Sequence, residues 1–217
     1  MKLERLQKLS GTSFFSPSIV VLYLLESGKY NTDIETSMFS SPTFVDPKAV
    51  VAALPVAPKG TVADFGCGAG YFSVEFSRAV GEEGQVIALD VLPAALEAME
   101  SQAKLLGLRN ITTKRANLER ENGSGLAPAS VDWVIVKDML FQNDMKDVIL
   151  REVSRVLHPG GHGLIMEWNP ETEGKVGPET GKRISAGDMK QILEKIGFTE
   201  IRDIPVGAYH YAFLVTK

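Results

Sequence analysis

The residues best placed to do chemistry form one short stretch, Asp64-Phe65-Gly66-Cys67-Gly68-Ala69-Gly70, in which a carboxylate precedes three alternating glycines. Glycines let the backbone take positive φ and let a ligand approach to main-chain distance. The first N–H groups of a helix that follows are free to receive polar ligand atoms. The G-x-G-x-G spacing is one residue short of the G-x-G-x-x-G that seats a pyrophosphate. A carboxylate at Asp64 suits a ligand with a cationic end and repels a pyrophosphate in a poorly solvated site. A second acid, Asp90, lies 20 residues beyond Gly70, at the end of the apolar run Gln85-Val86-Ile87-Ala88-Leu89. An acid there can take both hydroxyls of a ribose, or it can cap the helix that follows.

These residues need strands that end at one edge and helices that return the chain. The stretch at about 61–65 reads as a strand, and the helix after the glycines places Phe72, Phe76, Ala79 and Val80 on one face before Gly81. Gln85 to Leu89 is a second strand. Pro93 opens a helix with Leu96, Met99, Ala103 and Leu106 at helical period, ending at Gly107. Ile111 to Lys114 is a third strand, and Asp132 to Val136 a fourth that runs into Lys137-Asp138. A helix over about 144–157 turns Met145, Ile149, Val153, Val156 and Leu157 inward. Leu157-His158-Pro159-Gly160-Gly161 then turns the chain into a fifth strand, Gly163 to Met166, which ends in Glu167-Trp168. A loop with Pro170, Gly174 and Gly177 follows, and Ser185-Ala186-Gly187-Asp188 reads as a capping box. The chain closes with a hairpin over Phe198 to Ile204 and Tyr209 to Val215.

Asp64-x-Gly66-x-Gly68-x-Gly70 resembles motif I of the class I S-adenosylmethionine-dependent methyltransferases, and Asp90 matches that family's ribose-binding acid. The turn Arg155-Val156-Leu157-His158-Pro159-Gly160-Gly161 is similar to that of the ubiquinone/menaquinone-biosynthesis type. The resemblance implies an α/β, Rossmann-like, doubly wound sheet of seven mostly parallel strands in the order 3-2-1-4-5-7-6, the last strand antiparallel. It implies S-adenosylmethionine as cofactor and S-adenosylhomocysteine as product. The cofactor would be held by Asp64, Gly66, Cys67, Gly68, Gly70, Asp90, Val91, Ala116, Asn117, Leu118 and Lys137. Asn117 stands where the family usually has an aspartate against the adenine, and its amide oxygen can still accept a hydrogen bond.

Methyl transfer from a sulfonium asks a protein mainly to position the reactants and exclude water. Carbon acids and hydroxyls must also lose a proton. Ligands of parallel sheets sit at the carboxyl ends of the strands, which makes Asp138, Glu167 and His210 the candidate catalytic groups. Each has a plainer alternative. Asp138 can hold a loop or the ligand's ammonium group, and Glu167 can pair with a cation at the sheet edge. His210, between Tyr209 and Tyr211, can be a hydrogen-bonded core histidine. Cys67 sits between two glycines, with its backbone and not its thiol toward the ligand. One cysteine and three histidines offer no zinc-site spacing, and no metal is expected.

A net charge of -4 without a local basic or aromatic stripe gives no general attraction to phosphate backbones, so no nucleic-acid partner is expected. The apolar run Ile19 to Leu25 is far short of the roughly 18 to 20 residues that cross a bilayer. Mixed charges before it, and no small-x-small site after it, argue against a signal peptide. A cytoplasmic, reducing setting fits the single cysteine. Residues 1–45 lack strand–helix alternation and read as a helical appendage ahead of a domain at 46–217. A cover over the acceptor pocket and an arm for a homodimer are the competing expectations for it. The function expected is methyl transfer to a small, apolar molecule. A SAM-binding regulatory or assembly protein, and a protein or RNA methyltransferase, are the alternatives.

Overall fold

The computed structural model describes residues 45–172 and 176–217. The expectations placed on residues 1–44, including the appendage, and on Gly174 lie outside the described residues. Asp46 caps the first helix, α1 (Pro47–Ala52), by accepting from the Lys48 N–H at 3.0 Å, with proline at the first helical position. The run Thr61–Phe65 forms β1, and the glycine loop leads into α2 (Tyr71–Val80). Then come β2 (Gln85–Asp90), α3 (Pro93–Leu105), β3 (Ile111–Arg115), β4 (Val131–Lys137) and α4 (Lys146–Val156). The chain finishes with β5 (Leu157–Trp168), α5 (Ala186–Ile196), β6 (Glu200–Ile204) and β7 (His210–Thr216).

The described residues form one seven-stranded sheet in the order β3-β2-β1-β4-β5-β7-β6. The first five strands run parallel, while β7 inserts antiparallel between β5 and β6. Period-two alternation along β1 sends Ala63 and Phe65 into the apolar layer under α4 and α5 and Val62 into the layer under α1 and α2. Both faces are covered, which is why the central strands read as continuous apolar runs. No helix of the described residues is long and apolar enough to cross a membrane.

Three local expectations need correction. Met145 and Leu106 were expected on inner faces, but they are 47% and 42% exposed. Each flanks its helix, as N-cap of α4 and C-cap of α3, and so falls outside the helical register. The Pro159-Gly160-Gly161 segment is not a turn ahead of a strand beginning at Gly163. It lies within β5 as a bulge, since Val131 pairs with Leu157 and Trp133 with His162. Gly161 allows this, because a Cβ there would stand 3.1 Å from the Asp132 carbonyl oxygen. The bulge's main chain pairs with Lys217 at the chain end, through Gly160 N–H to Lys217 O at 2.9 Å and Lys217 N–H to Gly161 O at 3.0 Å.

Arg155 of the same motif has a separate task. Its Nε and Nη2 each donate at 2.7 Å to the buried Glu152 carboxylate, and Nη2 also donates to the Leu126 carbonyl at 2.8 Å. Glu152 accepts from the Ser124 N–H at 3.1 Å and from its hydroxyl. The network fastens α4 to the loop that leaves β3, which carries the Ala116-Asn117-Leu118 wall.

Candidate active site

Four parallel strand ends and the start of β7 surround a cavity of about 1020 Å³. Its first half is built from local sequence. Gly66, Gly68 and Gly70 take φ of 74°, 51° and 82°, values that favour glycine. A Cβ on Gly68 would have nothing within 4 Å, leaving that turn of backbone open to a ligand. Gly70 differs. It does not line the cavity, and a Cβ there would stand 1.9 Å from Met99 Sδ, so helix packing sets its identity.

Asp64 lines the cavity at 3% exposure and accepts from the Ser73 hydroxyl at 2.5 Å. Burial pushes its carboxyl up to about 6 despite that hydrogen bond. Asp90 closes the loop, with Oδ2 accepting from the Gly68 N–H at 3.1 Å and Oδ1 from the Leu92 N–H at 2.9 Å. The two acceptances span the loop and the start of α3 and leave each oxygen a further lone pair. Cys67 is buried, and desolvation, with Asp64 and Asp90 nearby, pushes its thiol far above the usual range. Its thiol stays protonated in the cavity wall, the state in which cysteine is least reactive. Val91, Ala116, Asn117 and Leu118 continue the wall, and Asn117 Oδ1 accepts from the Glu119 N–H at 3.1 Å.

The second half is assembled from distant segments. Lys137 and Asp138, at the end of β4, are ion-paired and both line the cavity. Asp138 has φ of 52°, a left-handed conformation in a non-glycine residue. His210 Nε2 lies 3.1 Å from its Oδ1 and 3.3 Å from its Oδ2. Burial opposes ionisation of Asp138, but His210 and Lys137 outweigh it and hold the carboxyl below its usual range. His210 is 6% exposed and lines the cavity, and its Nδ1 has no hydrogen-bond partner among the described residues. Trp168 packs against it with ring centroids 4.2 Å apart and planes tilted by 38°.

Glu167 stands apart from this pair. It is fully buried and does not line the cavity, because alternation along β5 sends Trp168 to the cavity and its neighbour to the other face. Trp168, Met139, Tyr71 and Phe72 also line the cavity and were not among the residues expected to bind. The signal for Trp168 was its place at a strand end. Met139 carried none, since only the turn after Asp138 brings its side chain to Gly66. Among the described residues no group of three or more His, Cys, Asp and Glu side chains could hold a metal ion.

A family model described as a methyltransferase domain matches residues 57–196. The ubiquinone/menaquinone biosynthesis C-methyltransferase of Haemophilus ducreyi is 37% identical over 109 residues, which are 50% of this chain and 41% of that protein. Its counterpart from Pasteurella multocida is 34% identical over 109 residues, 50% of this chain and 40% of that protein. The chain thus spans about two-fifths of the length of these curated relatives. A SAM-dependent methyltransferase from Aquifex aeolicus superposes with a TM-score of 0.72 at 26% identity, over 80% of this chain and 90% of that one.

Proposed function

The chain belongs to the methyltransferase-domain family, with S-adenosylmethionine as its cofactor, and from that premise we propose that it methylates a small molecule carrying an acidic carbon or hydroxyl. The quinone-biosynthesis C-methyltransferases among its relatives favour carbon as the acceptor atom.

The cavity's donor set fits the cofactor. Gly68 offers backbone with no Cβ in the way, Asp64 is a carboxylate in the wall for an ammonium group, and Asp90 is a partly exposed acid at the end of β2 for a ribose. When bound, the cofactor supplies an activated methyl group on a sulfonium. The chain's own residues do the rest. Asp138 and His210 form a pair in the cavity wall that takes the acceptor's proton: the carboxylate receives it, and the imidazole beside it holds the carboxylate ionised and oriented. Trp168 restrains the imidazole through a tilted ring contact. Lys137 keeps Asp138 ionised.

The observation that carries this reading is the Asp138–His210 contact in the wall of the cavity that the glycine loop also lines. The test is mass spectrometry of ligand retained by the purified protein, followed by incubation with methyl-labelled S-adenosylmethionine and a metabolite extract that includes demethylated quinols. Label in a small molecule, lost in His210→Phe, is expected. Label only in protein or RNA would overturn the acceptor class, and binding without any transfer would make the chain a SAM-binding regulator.

A further inference from the structure

Glu167 is the buried acid that the proposed proton transfer does not use. Its Oε1 accepts from two consecutive main-chain N–H groups, those of Met139 at 2.9 Å and Leu140 at 2.6 Å. Its Oε2 has no hydrogen-bond partner among the described residues. The two N–H groups belong to the residues that directly follow Asp138, whose own N–H donates to the Met166 carbonyl at 3.0 Å. The end of β5 therefore grips the chain on both sides of Asp138, through a carbonyl before it and a carboxyl after it. Asp138 needs such a grip, since a non-glycine residue at φ of 52° persists only where its surroundings over-determine it. The same turn reaches the other half of the cavity, where Met139 Sδ lies 3.0 Å from the place a Cβ on Gly66 would occupy.

We propose that Glu167 is a positioning residue that acts only through the turn at 138–140, fixing Asp138 against His210 and Met139 against the glycine loop. The proposal rests on the reading of Asp138 and His210 as the proton-accepting pair. One oxygen does the work, so the clamp needs an acceptor and not a charge. The burial that pushes the Glu167 carboxyl up to about 7 agrees with this, because a neutral carboxyl can accept both bonds. A proton carrier would instead have to exchange with the cavity, which Glu167 does not line.

The experiment compares native protein, Glu167→Gln and Glu167→Ala at full length, with S-adenosylhomocysteine as the bound probe. Amide exchange by NMR should show Met139 and Leu140 protected in the native and Gln proteins. In the Ala protein protection should fall by about ten- to a hundredfold as both N–H groups lose their acceptor. The Asp138 carboxyl should titrate below the usual range in the first two and rise toward it in the Ala protein. Should Glu167→Ala fail to fold, the Gln protein decides: protected amides support the clamp and exposed ones overturn it. Native-like exchange in Glu167→Ala would also overturn it. So would loss of methyl transfer in Glu167→Gln with both amides protected, which would make Glu167 a proton carrier. A native protein that transfers no methyl group would sink the functional reading while leaving exchange and titration to judge the clamp.

Discussion

The two halves of the cavity are built in different ways. The half proposed for the cofactor draws Asp64, Gly66 and Gly68 from one five-residue stretch and adds Asp90, whose carboxylate reaches back to the Gly68 N–H. Its ligand-facing groups are largely main chain, presented by a loop whose shape its own glycines determine. The half proposed for the acceptor joins Asp138 to His210 across 72 positions of sequence, with Trp168 from a third segment. Its chemistry is in side chains, and their meeting depends on β7 lying antiparallel to β5 with His210 opposite Trp168. Local architecture makes a robust binding site, whereas long-range assembly makes one that can change substrate by changing a few side chains.

If the halves are distinct, damage to one should spare the other. The largest effect is expected from the acceptor half, where Asp138→Asn or His210→Phe should lower the rate of methyl transfer by about 10²- to 10⁴-fold. That is roughly 3 to 5 kcal/mol of barrier. Calorimetry with S-adenosylhomocysteine should show nearly native affinity in both, and a parallel loss of binding would erase the distinction.

In the cofactor half, Gly70→Ala should destabilise the fold by roughly 4 kcal/mol, since a Cβ at φ of 82° meets Met99 Sδ at 1.9 Å. Gly68→Ala, with open space, should cost about 1 kcal/mol of stability. Urea denaturation of the two proteins separates glycine kept for packing from glycine kept for the ligand. Equal losses would refute that assignment.

Two buried acids hold their protons more tightly in the folded chain, Asp64 in the cavity wall and Glu167 behind it. Glu167 is raised by burial from 4.5 to about 7 and Asp64 from 3.8 to about 6. A raised carboxyl contributes stability that is complete below its unfolded value and lost as pH rises through its folded value. Stability should therefore decline between about pH 4.5 and 7 on account of Glu167, by on the order of 3 kcal/mol. Asp64 should act in the same direction between about pH 4 and 6. Glu167→Gln should flatten the upper window and Asp64→Asn the lower, as read from unfolding midpoints against pH. A decline left unchanged in Glu167→Gln would count against the placement of that proton.

Asp90→Ala should weaken S-adenosylhomocysteine binding by about ten- to a hundredfold, or about 1.5 to 3 kcal/mol, because a charge-assisted contact is lost. Asn117→Ala, which removes one neutral acceptor, should cost only about 0.5 to 1.5 kcal/mol. The order of the two matters more than either value. A larger loss at Asn117 would shift the main recognition from ribose to base.

While the strand order came from the family resemblance, the sequence by itself determined the glycine loop, the acid at Asp90, the succession of strands and helices and the capping box at Ser185. Each depends on contacts within a few residues or on a period of two or 3.6, and such signals survive without knowledge of the fold. It also brought Asp138 and His210 to the same edge of the sheet. What only the tertiary structure decided is which of three candidate acids and bases meet. Glu167 and Trp168 are neighbours in the chain, yet the pleat of β5 sends one into the core and the other into the cavity. The bulge at His158 to Gly161 is set before Trp133 pairs with His162, and the register it leaves carries on to the strand end. A shift of one residue there would exchange Glu167 for Trp168, because successive side chains of a strand point to opposite faces.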